Sequence, residues 1–334
     1  EAFAAAEEAQ PNDPDISYGI GAVERRQGDM EAALVRFQRA LELDPRSALL
    51  AGEVGWTYGL LRRFDAARPY WDKAIALAPE VGRYYAVKAF HYVASGQTEQ
   101  AREVLNLVGE RGALTPQVAF WVVWLDAVEG EYEAALERLR EAPDAFENQF
   151  RYVPRVQWQA VLHGLLGDRE RARANWDSSR VHLEEWVAEH PEDPRFHSAL
   201  GIAYAGLGRK EEAIREGKLG VALLPPSREA MRGIQGVEEL ARIYATVGEL
   251  DAAVEEIETL LDRPGWMTQH TLRLEPWWRP LHGHPRFEAL FSNEDLSTDN
   301  PGRGQSPSEE VVAAVRRQRR LEEIVPERVV MALV

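Results

Sequence analysis

Three large aromatic residues, Trp56, Phe90 and Trp124, stand 34 residues apart in the sequence. Rigid apolar side chains at a fixed interval suit recognition, because they bury a large area at a low conformational cost. Tyr18 and Phe120 fall at a second position of the same frame, four residues before Ala22 and Trp124. No pattern of comparable strength points to catalysis. Gly217-Lys218 is followed by Leu219 rather than Ser or Thr, so no phosphate loop is written there. His282 and His284 flank Gly283 beside Pro285 without an identifiable third metal ligand. The paired carboxylates Glu211-Glu212 and Glu255-Glu256 read as solvated helix faces with local ion pairs. Cysteine is absent, which removes disulfides, thiolate zinc sites, iron–sulfur clusters and cysteine nucleophiles and leaves the redox compartment open. No catalytic residue, cofactor or metal is expected.

The elements that position the aromatics are written as a repeat. Gly28-Asp-Met-Glu-Ala-Ala33, Arg62-Arg-Phe-Asp-Ala-Ala67, Gly96-Gln-Thr-Glu-Gln-Ala101 and Gly130-Glu-Tyr-Glu-Ala-Ala135 align at steps of 34 residues. Gly21, Gly55 and Ala89 lie upstream of these strings, Phe37, Trp71 and Leu105 lie four residues downstream, and Pro45 and Pro79 close the first two units. The pattern predicts two antiparallel helices per unit. Small residues such as Gly21 and Ala33 allow close approach, Phe37 or Trp71 fills the gap between units, and Gly28 or Gly96 ends the first helix in a left-handed turn. Pro45 and Pro79 then stop the second helix. Units counted from residues 14, 48, 82 and 116 place Ala22, Trp56, Phe90 and Trp124 at the ninth position of the first helix and Tyr18 and Phe120 at the fifth.

Later units keep the signature and stretch it: Ala172, Ala213 and Ala253 follow their predecessors by 37, 41 and 40 residues. The extra length is expected between units, as a long helix from about Asp168 to His190 and as a loop around Pro225, Pro226 and Gly233. Seven units would span Pro14 to Pro264.

Spacing and residue types resemble the tetratricopeptide repeat. That resemblance implies a concave groove, lined by the second, fifth, ninth, twelfth and thirteenth positions, in which extended peptides bind. It makes Tyr18, Trp56, Phe90, Phe120 and Trp124 the expected partner-binding residues. The competing reading, in which tight coiling closes the groove, makes Trp56, Phe90 and Trp124 ordinary core. The clamp of chaperone-binding relatives, Lys at the fifth and Asn at the ninth position, is missing: Tyr18 stands with Ala22, Gly52 with Trp56 and Ala86 with Phe90. A groove ligand is therefore expected to be apolar or basic, in keeping with the net charge of −16. The segment Leu272–Leu290 resembles the closing segment after such repeats in bacterial serine/threonine kinases, nucleotide cyclases and transcriptional activators. Trp277, Trp278, Leu281, Phe287 and Leu290 read as a cap over the last unit, which an open solenoid needs.

The 334 residues, 45% hydrophobic and 28% charged, have an ordinary globular composition. The acidic balance repels phosphate backbones and anionic headgroups, so nucleic acid and membrane surfaces are poor partners. No apolar run is long enough to cross a bilayer. Glu1–Gln10 carries neither a basic nor an apolar leader region and the chain begins without Met, so a fragment or processed product is expected. Asp295–Ser308 reads as a linker, and Glu309–Ile324 as a solvated helix or a short partner-binding one.

The expected fold is all-α, a right-handed α-solenoid of about seven units over residues 1–264, a cap over 265–294 and a linker with a possible short helix over 295–334. The expected role is a non-catalytic, cytoplasmic scaffold that holds a peptide or partner domain in its groove. The alternatives are a regulatory arm of a larger bacterial signalling protein, partnered by its own kinase, cyclase or activator domain, and a homo-oligomerisation module.

Overall fold

In the computed structural model, residues 7–109 and 115–291 are described, and the expected linker and tail helix lie outside them. Seven helix pairs follow one another. They are α1 (Pro14–Gln27) with α2 (Met30–Leu43), α3 (Ala48–Leu60) with α4 (Phe64–Leu77), α5 (Gly82–Ala94) with α6 (Thr98–Gly109), and α7 (Pro116–Glu129) with α8 (Tyr132–Arg138). The remaining three are α9 (Arg155–Leu165) with α10 (Arg169–Glu189), α11 (Pro194–Gly206) with α12 (Lys210–Leu223), and α13 (Ala230–Val247) with α14 (Leu250–Leu261). The closing segment contributes α15 (Gln269–Leu274), a 3-10 turn (Pro276–Leu281) and α16 (Pro285–Ala289).

The first helices of the first four pairs start at 14, 48, 82 and 116, the frame expected from the repeat. Local chemistry fixes these starts. Asp13, Ser47 and Thr115 each accept a hydrogen bond from a first-turn backbone N–H, and Pro14 and Pro116 supply a preset φ where no donor is needed. The stops are equally local: Gly28, Gly96, Gly130, Gly167, Gly208 and Gly248 all sit in the left-handed region. Arg62 occupies the corresponding place in the second pair with φ 56°, the exception among non-glycine residues described.

Phe37, Trp71 and Leu105 are buried, Phe37 against Tyr18 of its own pair and Trp71 against Tyr84 of the next. Trp71 also donates its indole N–H to Nδ1 of buried His91 at 2.9 Å. Burial, with a smaller push from Arg68, lowers that imidazole to about 3, so it stays neutral.

Three features depart from the sequence reading. α8 stops after seven residues, and the chain then forms a small antiparallel hairpin, β1 (Ala145–Glu147) with β2 (Tyr152–Pro154), in which Phe146 pairs with Val153. Asn148 makes its turn by accepting from the backbone N–H of Phe150 and Arg151 at 2.8 and 3.0 Å. The expected long helix is present as α10, yet the hairpin was not foreseen. Gly233 is also not in a loop but inside α13, its Cα pressed against Pro225 and Pro226.

The third departure is closure. The array curves until α13 packs on α1, and Met231 is buried with Met30 and Leu60 of the first two pairs. Past α14, Gly265 N–H donates to the Leu60 carbonyl at 2.8 Å, and the Thr268 hydroxyl donates to the Ala94 carbonyl at 2.9 Å. Trp278, Leu281 and Phe287 are buried in one cluster with residues of α13 and α14. Trp277 turns instead toward the centre, where its ring lies 6.1 Å from Trp158. The expected concave groove is thus partly filled by the hairpin and the closing segment.

Candidate functional site

What remains of the concave side is a central cavity of about 500 Å³. Trp56, Phe90, Phe120 and Trp124 all line it, because the ninth residues of α3, α5 and α7 stand on equivalent faces of successive first helices. Phe90 lies 5.7 Å from Trp124 and 5.2 Å from Trp121, centroid to centroid. Trp56 and Phe90 are half-buried, whereas Phe120 and Trp124 are only 6% and 4% exposed and serve as core as well as wall. The fifth expected residue does not join them. Tyr18 packs at 5.9 Å on Phe37 of its own pair and stands outside the cavity lining.

The hairpin completes the wall. Phe150 stacks on Trp56 at 6.2 Å and meets Trp266 edge-on at 5.5 Å, while Phe146 lies 5.8 Å from Phe120. Three arginines or their neighbours secure its tip: Arg195 and Arg232 donate to the Asn148 and Gln149 carbonyls at 2.7 and 2.9 Å, and Arg26 reaches the Gln149 side chain at 3.3 Å.

The polar floor comes from α13 and the closing segment. Glu238 accepts the Trp266 indole N–H at 2.7 Å, and Glu239 accepts the Gln235 amide at 3.3 Å. Gln235 in turn accepts from Arg151, whose guanidinium lies 5.2 Å over the Phe120 ring. Glu275 is held by three indoles: Trp124 donates to Oε1 at 3.1 Å, and Trp277 and Trp278 donate to Oε2 at 3.1 and 2.8 Å. Arg242 lies 4.7 Å over the Trp277 ring, and its Nε has no hydrogen-bond partner among the described residues.

The family model described as tetratricopeptide repeat matches residues 1–48 and 165–227, which hold the first pair and most of the fifth and sixth. Those two stretches carry the tetratricopeptide repeat. No curated protein matches it. Among solved structures, the chain is similar to a tetratricopeptide repeat protein from Parabacteroides merdae ATCC 43184, with 12% identity, 84% of this chain and 89% of that one covered, and a TM-score of 0.38. It is also similar to YrrB, a repeat protein described as having an unusual peptide-binding site, with 18% identity, coverage of 67% and 93%, and a TM-score of 0.36. A third similarity is to the Cut9–Hcn1 hetero-tetramer of APC/C, with 14% identity, coverage of 91% and 56%, and a TM-score of 0.48.

In the repeat frame, the residues that sequence reasoning missed are those outside the repeated positions. Trp121 neighbours two expected residues but has no counterpart in the other units, and Phe146, Phe150, Trp266 and Trp277 come from non-repeating segments. The acidic pair Glu238-Glu239 within a helix otherwise facing the core was the available signal for the floor.

The floor makes stability depend on pH. Burial raises both Glu239 and Glu275 to about 7 from 4.5; Glu238 adds to each rise, and nearby arginines and, for Glu275, the indole donors offset part of it. A carboxyl whose folded value lies above its unfolded one favours folding fully at low pH and loses that contribution as pH climbs through the folded value. We therefore expect the stability read by urea titration to fall between pH 5 and pH 8, by at most about 3 kcal/mol per group. Glu239→Gln should flatten the decline, and an unchanged slope in that variant would remove Glu239 from the account.

Proposed function

We propose that this chain is a non-catalytic interaction module whose aromatic concave surface receives a short apolar segment of a partner protein. Tetratricopeptide repeats are in general protein-interaction scaffolds, and no helix among the described residues is long and apolar enough to cross a membrane. The observation that supports the finer reading is the convergence of Trp56, Phe90, Phe120 and Trp124 with the hairpin aromatics around one cavity. Its size suits a few side chains rather than a long extended peptide, because the hairpin and the closing segment occupy the remaining groove. Contact between α13 and α1 engages both ends of the array, which favours ligand binding over end-to-end homo-oligomerisation. No specific geometric feature favours the regulatory-arm reading.

Selection of random displayed dodecapeptides on the protein tests the proposal. Enriched peptides should carry an apolar cluster, and Trp56→Ala should weaken them by about tenfold or more, as expected for an aromatic anchor. Tyr18→Ala, outside the cavity, should leave binding intact. Equal losses in the two variants, with both folded by circular dichroism, would place binding elsewhere.

A further inference from the structure

The hydrogen-bonding account around the cavity is one-sided. Among the residues lining it, the buried polar atoms left without a partner are Nε of Arg242 and the indole Nε1 atoms of Trp56 and Trp158. All three are donors. The acceptors on the floor are already engaged: Glu238 by Trp266, Glu239 by Gln235 and Glu275 by three indoles. Arg242 also has no carboxylate within 4.0 Å among the described residues, although Glu238, Glu239 and Glu275 all act on it through space. A half-buried guanidinium whose Nε is enclosed, and which stacks on Trp277 without a direct counter-ion, leaves its donors for something else.

We propose that the central cavity binds a small amphipathic carboxylate, its anionic end on Arg242 and its apolar body against the aromatic wall. This rests on the reading of that wall as a binding surface and departs from the apolar or basic ligand that net charge alone suggests. The distinction is local. The net charge of −16 belongs to the whole chain, whereas within the cavity each carboxylate is fastened to donors of the wall and Arg242 is not. A carboxylate supplies several acceptor lone pairs to a fork of N–H groups, which an alcohol meets only in part and an ammonium not at all.

The experiment is a titration of the full chain with octanoate, 1-octanol and octylammonium, followed by tryptophan fluorescence. Octanoate should bind about tenfold or more tightly than either of the others, the difference expected of a charge-assisted hydrogen bond. Arg242→Met, which keeps the stem over Trp277, should erase the preference while leaving octanol binding unchanged, and Arg242→Lys should keep part of it. Trp56→Phe, which removes one unpaired donor and retains the ring, checks the result in a second, milder variant. Equal binding of octanoate and octanol, tighter binding of octylammonium, or no binding of any probe would overturn the proposal. Loss of octanoate binding alone, with Trp56-dependent peptide binding intact, would sink this inference and spare the interaction module; the converse would spare the inference.

Discussion

Glu275→Ala is expected to cost about 3–5 kcal/mol of stability, because it leaves three indole donors without their acceptor. The carboxylate accepts from Trp124, Trp277 and Trp278, and two of those indoles are almost wholly buried. Each buried donor left unmatched carries a penalty of about 1–3 kcal/mol, and relief from the buried charge returns only part of it. Glu275→Gln separates the contributions. Its amide oxygen can replace Oε2 for Trp277 and Trp278, but its amino group then faces the Trp124 donor, so the loss should fall to about 1–2 kcal/mol. Urea titration at pH 7 reads both values. A Glu275→Ala variant as stable as the parent would mean that the closing segment is held by its apolar contacts alone. The connection also matters for the cavity, since Trp124 lies on α7 and Glu275 follows α15, 151 residues later.

Repeat-encoded structure was legible because its causes are local. The Gly, Ala, aromatic and Pro positions of one unit act within that unit and its neighbour, so helix starts at 14, 48, 82 and 116 followed directly from the spacing. Four of the five expected groove residues met around the cavity for the same reason, being equivalent positions on equivalent helices. Tyr18 stands apart because Ala22 occupies the ninth position of its own helix and the Tyr18 ring packs on Phe37. Closure was illegible for the opposite reason. Contacts such as Gly265 to Leu60 or Thr268 to Ala94 join segments that share no period, and backbone carbonyls leave no mark in residue type. The hairpin also lacks a partner unit, and its alternation of Phe146, Asn148, Phe150 and Tyr152 is too short to separate a strand pair from a loop.

One break in the repeat did encode closure. Arg62 stands where the other six pairs have a left-handed glycine, and a side chain in that conformation costs about 1–2 kcal/mol. The residue spends its side chain on the last pair and the segment after it, donating through Nε to the Met267 carbonyl at 2.9 Å and through a terminal nitrogen to the Leu260 carbonyl of α14 at 3.0 Å. Burial lowers its pKa, with Asp262 opposing that shift. A guanidinium remains charged at any pH the fold survives. Arg62→Ala keeps the backbone strain and loses both bonds, so it should destabilise the chain by about 3–5 kcal/mol, charged hydrogen bonds contributing about 1.5–3 kcal/mol each. Arg62→Gly loses the same bonds but relieves the strain, and should be about 1–2 kcal/mol more stable than Arg62→Ala. The order parent, Gly, Ala in urea midpoints would show that Arg62 replaces the preferred residue of the repeat for the sake of closure. A glycine variant more stable than the parent would show that the two carbonyl bonds contribute less than the strain they accompany, and that Gly265, Thr268 and Glu275 hold the ring without Arg62.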